Sequence, residues 1–175
     1  MIARPTKLNG LFVIEPERFD DKRGFFARAW STDEFTKLGL TGQFVEANFA
    51  FNEKKGTLRG LHWQEPWQAK LVRCTRGSVC DVGVDLRPDS ETYRQWFKVD
   101  LSAENRLMLY VPEGFAHGYL TLEEHSEVHY FVTSVYARDG QRGVRWNDPA
   151  FGIEWPDVGE LIIKDEDKNY PDFQL

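Results

Sequence analysis

The chain has few of the residues that build disulfide frameworks, metal centres or membrane spans. It contains 175 residues but only two cysteines, Cys74 and Cys80, and four histidines. The two cysteines flank a predicted turn that would pair neither with the other, so we interpret both as free buried thiols, and no metal-type cysteine pair exists. The N-terminal residues contain no apolar signal core, and no window approaches the roughly 20 apolar residues of a membrane helix. These absences predict a cytoplasmic protein that does not associate with membranes.

Positive charge is also in deficit. The formal net charge is −6, which argues against nucleic acid as a partner, because non-specific binding to nucleic acid needs a basic face. A small anionic ligand remains compatible, since a few arginines can create a locally positive site. The apolar content of 41% and the six tryptophans indicate an ordered globular protein. No linker, repeat or low-complexity segment interrupts the chain, so we expect one domain over residues 1–175.

Short apolar runs recur along the chain and are separated by glycine, asparagine and aspartate. This pattern is typical of a sandwich or barrel of short strands. The predicted strands cover residues 11–14, 24–30, 44–51, 57–64, 70–75, 78–85, 95–100, 106–111, 117–122, 128–136 and 143–146. Helical signals are few: Ser31 to Glu34 resembles a capping box, and Gly39 suits the end of that helix.

Residues 70–85 predict a β-hairpin with a two-residue turn at Arg76-Gly77. In that pairing Lys70 and Asp81 share one face and are near-diagonal neighbours. If the face lines a barrel, the two charges need each other or a ligand as partners. An ion pair on the outer rim is the equally weighted alternative.

Two histidines stand in strand-like runs beside glycine: His62 follows Arg59 and Gly60, and His117 precedes Gly118. Histidine is the side chain best suited to accept a proton near neutral pH, but a lone histidine is more often structural. Strict alternation places Arg59 and His62 on opposite faces of a strand. One shared site therefore requires a bulge at Gly60 or an approach of Arg59 from an edge.

Two further residues look structural when taken alone. Tyr130 lies in an apolar run and is typical of a core tyrosine. Asp165 lies in a charged run over residues 163–168 and is typical of a solvated surface.

Taken in order, several segments carry a family resemblance. They are Asp21-Lys22-Arg23-Gly24-Phe25-Phe26, Leu58 to Gln64, Lys70 to Cys74, Leu101 to Asn105, Val111 to Gly118 and Gly152 to Pro156. With these segments the chain resembles the dTDP-4-dehydrorhamnose 3,5-epimerase family of nucleotide-sugar epimerases, from about Gly10 to Pro171. The resemblance implies a mainly β fold, a cupin-like jelly-roll barrel of antiparallel strands with a few short helices. It also implies a homodimer that needs no cofactor and no metal.

The family's reaction assigns roles to the side chains. It epimerises C3 and C5 of a nucleotide-diphosphate sugar, from dTDP-4-dehydro-6-deoxy-glucose to dTDP-4-dehydrorhamnose, through an enolate next to the C4 ketone. The resemblance makes His62 the base and Asp165 the carboxylate that orients it. It makes Tyr130 the acid on the other side of the sugar ring and Lys70 the group that stabilises the enolate oxygen.

The resemblance also implies substrate-binding residues. Arg23, Arg59 and His117 match positions that hold the diphosphate and sugar, and arginine suits phosphate because its donor fork is planar. Tyr136 matches an aromatic residue that stacks on the nucleotide base. Further predicted ligand-side residues are Asn48 and Lys164, together with three that depart from the family's usual types, Arg28, Glu46 and Gln141. In a homodimer, Arg23 and Arg28 would serve the partner's site.

Three other functions remain open from the sequence. One is an epimerase that acts at C3 only or C5 only, or on another nucleotide sugar. A second is a metal-dependent cupin enzyme, although the usual histidine-x-histidine ligand pair is absent and His62-Trp63-Gln64 stands instead. The third is a non-catalytic sugar-nucleotide-binding module, which would not need Tyr130 and Asp165 alongside His62.

Overall fold

The computed structural model describes residues 1–174 and consists mainly of β-strands. In chain order the strands are β1 (Ile2–Pro5), β2 (Phe12–Glu15), β3 (Arg18–Asp21), β4 (Gly24–Ala27), β5 (Glu46–Asn52), β6 (Thr57–Gln64), β7 (Lys70–Arg76), β8 (Ser78–Asp85), β9 (Trp96–Ser102), β10 (Met108–Val111), β11 (Phe115–Thr121), β12 (Ser126–Val132), β13 (Gln141–Gly143) and β14 (Ile162–Ile163). The helices are α1 (Thr32–Lys37), a 3₁₀ turn (Arg138–Gly140) and α2 (Asp165–Lys168). No helix in the described part of the chain is long and apolar enough to cross a membrane.

Two six-stranded sheets enclose the interior. The first sheet has the order β1-β2-β10-β7-β12-β5, and the second has the order β13-β6-β11-β8-β9 with β14 beside β6. Neighbouring strands run antiparallel, apart from β14, which runs parallel to β6. The strands β3 and β4 form a separate two-stranded arm over residues 18–27, called the N-terminal arm below. The mainly β, antiparallel jelly-roll prediction is confirmed.

The apolar core lies between the two sheets. Val72 and Val128 from the first sheet join Val79, Leu101 and Phe115 from the second in one buried cluster. Alternate residues of a strand point to the same face, so each of these strands gives one apolar face to the interior. The inner faces also carry the polar side chains of the site described below.

The predicted hairpin at Arg76-Gly77 is wrong. Strand β7 lies between β10 and β12 in the first sheet, whereas β8 lies between β11 and β9 in the second. Gly77 (φ +69°) thus carries the chain around a corner from one sheet to the other. Lys70 and Asp81 nevertheless both face the interior, because the inner faces of the two sheets meet there. A glycine turn between two apolar runs suits a hairpin within one sheet and also a corner between two sheets. The local pattern therefore could not distinguish the two connections.

Other differences concern short elements. The strand predicted over residues 143–146 occupies Gln141–Gly143 instead, and β1, β3, β14 and α2 were not predicted. Helix α1 begins where expected and Gly39 follows it with φ +74°, but Ser31 makes no side-chain cap. The capping box does not form because Glu34 accepts a hydrogen bond from Arg28 at 2.9 Å instead.

A C-terminal segment returns to the edge of the second sheet. In this C-terminal segment (residues 162–173), β14 pairs with Thr57 and Leu58 on the edge of β6 opposite β11. Helix α2 follows. The backbone N–H of Phe173 then donates to Asp148 Oδ2 at 2.7 Å, and the Phe173 ring packs on Phe151 with centroids 5.1 Å apart. The segment is therefore anchored on both sides of the residues that reach the site.

Candidate active site

A main cavity of about 240 Å³ opens between the two sheets. The predicted site residues that line it are Arg59, His62, Lys70, His117, Tyr130 and Lys164. A second cavity of about 180 Å³ shares His62, Lys70 and Tyr130 with it, so the two form one cleft. The predicted residues added by the second cavity are Glu46, Asn48, Tyr136 and Gln141. The barrel interior thus gathers most of the predicted site.

A bulge in β6 brings Arg59 and His62 to the same cavity. His62 pairs with His117 on β11, whereas Arg59 pairs with Tyr119, so the register shifts between them. Gly60 has φ +120°, and a Cβ there would lie 2.7 Å from the Cα of Gly118. Both strands approach too closely for a side chain at this point. Of the two predicted alternatives the chain adopts the bulge at Gly60, and glycine at both positions permits the close approach of the strands.

The imidazole of His62 is held by Asp167. Its Nε2 lies 2.8 Å from Oδ1 of that buried carboxylate, and the backbone N–H of Gly60 donates to the other oxygen at 3.1 Å. Burial raises the pKa of Asp167, but the hydrogen bond and charge of His62 and the Gly60 amide outweigh it and hold that pKa below its usual value. The ionised carboxylate therefore orients the ring.

The prediction that Asp165 partners His62 is wrong. The Asp165 side chain is 93% exposed and its nearest cation is Lys168, with Oδ1 and Nζ 3.7 Å apart. Residues two positions apart on a helix point about 200° apart, so only one of the two aspartates in α2 can face His62. Local sequence in the run Asp165-Glu166-Asp167 carries no signal that selects the second.

Lys70 lies between the sheets beside a second aspartate–histidine pair. Burial lowers the pKa of Lys70 to about 8, while the charge of Asp81 acts in the opposite direction. Asp81 is fully buried. Its Oδ1 lies 2.8 Å from His117 Nε2, and its Oδ2 has no hydrogen-bond partner within residues 1–174. With a pKa of about 8 the lysine is mainly protonated at pH 7, which places a positive charge in the wall of both cavities.

Tyr130 faces the cavity from the first sheet, whereas His62 faces it from the second. Tyr130 lies on β12, where it pairs with Asn48 on β5 and with Val72 on β7. Burial raises the pKa of Tyr130; Arg59 acts against this, and the charges of Glu46 and Tyr136 reinforce it. The phenol therefore stays protonated near neutral pH and can donate a proton from the wall opposite the base.

Arg59 is positioned without a carboxylate partner. Its Nε donates to Asn52 Oδ1 at 2.9 Å and its Nη2 donates to the Phe51 carbonyl at 3.3 Å. The guanidinium forms no ion pair within the described residues. An aimed arginine without a counter-charge suits an anionic group of a ligand.

The second cavity has an aromatic wall. Tyr136 is 59% exposed; its hydroxyl donates to Gln141 Oε1 at 3.0 Å and its backbone N–H donates to Glu46 Oε2 at 3.2 Å. An exposed ring held at both ends offers a flat face for stacking. At the rim of the main cavity, Lys164 forms an ion pair with Glu166.

Two predicted binding residues lie away from both cavities. Arg23 stands on the N-terminal arm with its side chain 83% exposed, and its Nη2 lies 2.6 Å from Asp21 Oδ2. Arg28 is paired with Glu34. Within one chain, therefore, neither arginine lines a cavity, and the expectation that both serve a partner's site stays a prediction.

Three site residues were missed from the sequence. The first is Asp167, the partner of His62. Tyr119 lines the main cavity and lies two positions from His117, so strand alternation could have found it. Tyr170 places its ring 6.0 Å from the His62 ring at 71°, and no local pattern marks it. Among residues 1–174, no group of three or more histidine, cysteine, aspartate or glutamate side chains is placed to hold a metal ion.

Comparison with known proteins identifies the family. Residues 5–174 match the family model described as dTDP-4-dehydrorhamnose 3,5-epimerase. This chain belongs to that family. A relative of that name from Methanothermobacter thermautotrophicus is 45% identical over 168 residues, covering 94% of this chain and 90% of the relative.

Solved structures agree with the sequence comparison. The dTDP-4-dehydrorhamnose 3,5-epimerase of Elizabethkingia anophelis superposes with a TM-score of 0.95 and 40% identity, covering 99% of this chain and 96% of that one. The Bacillus anthracis enzyme, solved with TDP and PPi bound, gives a TM-score of 0.94 and 40% identity, covering 98% and 99%. The family predicted from the ordered motifs is confirmed.

Proposed function

We propose that this protein is an epimerase acting at C3 and C5 of a nucleotide-linked 4-keto-6-deoxy sugar, converting dTDP-4-dehydro-6-deoxy-glucose to dTDP-4-dehydrorhamnose. The observation that carries the proposal is a base and an acid on opposite walls of one cavity. His62, backed by Asp167, faces it from the second sheet, and Tyr130 faces it from the first. Relatives that are 40–45% identical are named for this activity.

The first step is removal of a proton from carbon. The C4 ketone acidifies the C–H bonds at C3 and C5, because the electron pair left behind is delocalised onto the ketone oxygen. His62 Nε2 is engaged by Asp167 at 2.8 Å, which leaves Nδ1 to accept the proton. The resulting imidazolium is stabilised by the Asp167 carboxylate, and the sugar becomes an enolate.

Lys70 stabilises the enolate oxygen. Its ammonium lies between the sheets, lines both cavities and has the buried Asp81 nearby. A cation in a site of low dielectric interacts more strongly with a developing oxyanion than the same cation does in water.

The second step returns a proton from the opposite face of the sugar ring. The Tyr130 hydroxyl donates its proton to the carbon, the enolate reverts to the ketone, and the configuration at that carbon is inverted. Exchange with solvent then removes the proton from His62 and restores the one on Tyr130. The same pair serves C3 and C5, because both carbons flank the ketone.

The rest of the cleft binds the nucleotide diphosphate. Arg59, which has no carboxylate partner, and His117 bind the diphosphate, and the exposed ring of Tyr136 stacks on the base. Lys164 extends this binding at the rim of the main cavity. Asn48, Glu46 and Gln141 in the second cavity offer amide and carboxylate groups to the polar edge of the ligand.

The decisive test is carbon–hydrogen exchange. The protein is incubated with dTDP-4-dehydro-6-deoxy-glucose in deuterated water, and NMR follows deuterium at C3 and C5. We expect label at both carbons and the inverted product. Label at one carbon identifies a mono-epimerase, while binding without exchange identifies a non-catalytic module. Bound metal in stoichiometric amount, with activity lost to a chelator, identifies a metal-dependent cupin. A panel of 4-keto-6-deoxy sugars linked to other nucleotides identifies the nucleobase that the protein accepts.

The assignment of Asp167, and not Asp165, as the partner of His62 predicts different effects for two matched substitutions. Asp167→Asn keeps the shape but loses the charge that holds His62, and we expect kcat to fall by about 10²-fold, within the 10²–10⁴-fold that a positioned base supplies. Asp165→Asn removes the exposed aspartate two positions away, and kcat should stay within about twofold of the parent because surface changes are usually near neutral. The exchange assay measures both; equal losses would contradict the assignment of Asp167.

The lowered pKa of Lys70 predicts that kcat falls at basic pH, which forms a basic limb in the pH profile. With its pKa near 8, the ammonium is lost as the pH rises through that value, and kcat should fall with it. Lys70→Arg is expected to turn over more slowly but to lose this limb, since arginine stays charged. Lys168→Met, an exposed lysine that lines neither cavity, should keep the limb. A limb near pH 8 that survives in Lys70→Arg would assign it to another group.

We also propose a homodimer in which the N-terminal arm completes the partner's site. The arm exposes aromatic surface, with Phe26 64% exposed, and the edge strand β5 exposes Phe49 at 70%. Exposed aromatic side chains on an arm and on a sheet edge suit contact with a second copy. Arg23 and Arg28, which lie away from this chain's own cavity, would then approach the substrate of the other.

A mixed-dimer experiment tests this assignment. Arg23→Ala should raise KM, whereas Lys22→Ala on the same arm should not. When Arg23→Ala chains are mixed with inactive His62→Ala chains, the site that retains His62 receives Arg23 from its partner, so low-KM activity should reappear. No recovery in mixed dimers, or a monomer in sedimentation, would contradict the proposal. The cytoplasmic location and the single domain over residues 1–175 stay predictions from the sequence.

A further inference from the structure

His62 has a second neighbour besides Asp167. The Tyr170 ring lies with its centroid 6.0 Å from that of the imidazole and its plane turned by 71°, an edge-to-face arrangement. Tyr170 follows α2, so the carboxylate and the ring reach His62 from the same C-terminal segment. Asp167 restrains one nitrogen of the imidazole, while Tyr170 occupies space beside the ring.

The space for Tyr170 exists because residue 143 has no side chain. Gly143 pairs with His62 across β13 and β6. A Cβ on Gly143 would lie 2.4 Å from both Cε2 and Cζ of Tyr170 and 2.9 Å from the Leu61 carbonyl oxygen. Gly143 is not among the glycines with positive φ, so the backbone here does not require glycine. A side chain at residue 143 would meet the Tyr170 ring first and the Leu61 carbonyl oxygen second, so the tightest requirement is room for the Tyr170 ring.

The surrounding structure holds Tyr170 in place. On its N-terminal side, Asp167 is bonded to His62 and to the Gly60 amide. On its C-terminal side, the Phe173 backbone is bonded to Asp148, and Arg145 forms an ion pair with Asp172. A ring fixed between two anchored points limits how far its neighbour can turn.

We propose that Tyr170 is a positioning residue for the base: its ring, seated in the space left by Gly143, keeps the His62 imidazole turned with Nδ1 into the main cavity. A single hydrogen bond to Asp167 allows the imidazole to tilt about that contact, and the Tyr170 edge blocks the tilt. Tyr170 does not touch the substrate in this role. The proposal rests on the proposed function, because it assumes that His62 takes the proton.

The first test is a set of substitutions at the two positions. Tyr170→Ala should lower kcat by about tenfold while KM changes less than about twofold, since a small misplacement of a reacting group costs up to about 10²-fold. Gly143→Ala should cause a similar loss by displacing the ring. Tyr170→Phe keeps the ring and should retain most of the turnover.

The double variant separates positioning from general damage. In Gly143→Ala/Tyr170→Ala the methyl group meets no ring and keeps only its contact with the Leu61 carbonyl oxygen, 2.9 Å away, so kcat should stay within about twofold of that of Tyr170→Ala, and the two losses should not multiply. Multiplying losses would assign Gly143 a separate role and overturn its link to Tyr170. Thermal unfolding of each variant identifies any loss that follows from incomplete folding, and Tyr170→Leu replaces Tyr170→Ala if that variant does not fold.

A readout independent of turnover completes the test. The NMR signals of the His62 imidazole, assigned with His62→Ala, should be displaced and broadened in Tyr170→Ala and Gly143→Ala but parent-like in Tyr170→Phe. If the parent protein shows no carbon exchange, the proposed function fails, while these signals still test the positioning role. Parent-like His62 signals and kcat in Tyr170→Ala would overturn the inference.

Discussion

Replacing His62 with alanine is expected to abolish deuterium exchange at C3 and C5. Among the described residues, His62 is the only histidine of the main cavity that is hydrogen-bonded to Asp167. Its loss removes both the proton acceptor and the group that the carboxylate stabilises. The expected loss in kcat is about 10²–10⁴-fold, the usual contribution of a positioned base. Affinity for dTDP should persist, because Arg59 and Tyr136 are untouched.

A second histidine provides the control for His62→Ala. His125 is exposed, lines neither cavity and has φ +55°, a conformation that asparagine also adopts. His125→Asn should therefore exchange at the parent rate. Substantial exchange remaining in His62→Ala would refute the assignment of the base.

Tyr130→Phe is expected to uncouple exchange from inversion. The variant keeps the ring and loses the hydroxyl, so His62 can still remove a proton but no acid stands on the opposite wall. Deuterium should then enter from the His62 side with retention of configuration. Turnover to the epimer should fall by about 10²–10⁴-fold, the range of general acid catalysis, with little change in ligand affinity.

Product stereochemistry and the label distinguish this outcome from simple inactivation. NMR reports both in one experiment. Tyr93→Phe, on the loop between β8 and β9 and outside both cavities, is the matched control and should behave as the parent. Unchanged turnover in Tyr130→Phe would remove this residue from the acid role.

The positions of the longer strands were predictable because the apolar pattern that marks a strand is local. Strands β6 (Thr57–Gln64) and β8 (Ser78–Asp85) occupy the predicted residues, since their apolar patterns end at turn-forming residues on both sides. Strands β3 (Arg18–Asp21) and β14 (Ile162–Ile163) were missed because they are short, and their hydrogen bonds to neighbouring strands define them. The corner at Gly77 was mistaken for a hairpin for the same reason: sheet membership depends on partners far along the chain.

The site residues also differ in whether the sequence could predict them. His62, Lys70 and Tyr130 were placed together by family resemblance, and the structure brings them to one cavity. Asp167 was not found, because the turn of α2, not composition, decides which of two nearby aspartates faces the base. Arg23 and Arg28 lie away from both cavities of this chain, and the proposal that they serve a partner's site concerns a second copy, which no pattern within the chain describes.

The sequence by itself determined the residue types available for proton transfer, the two-residue period of the strands and the family of the chain. Only the tertiary structure decided which carboxylate orients His62 and how Arg59 reaches the same cavity. Both decisions depend on contacts between residues distant along the chain: the bond from Asp167 to His62, and the close approach of Gly60 to Gly118. Such contacts follow from packing two sheets and a returning C-terminal segment, so they appear only when the whole chain is folded.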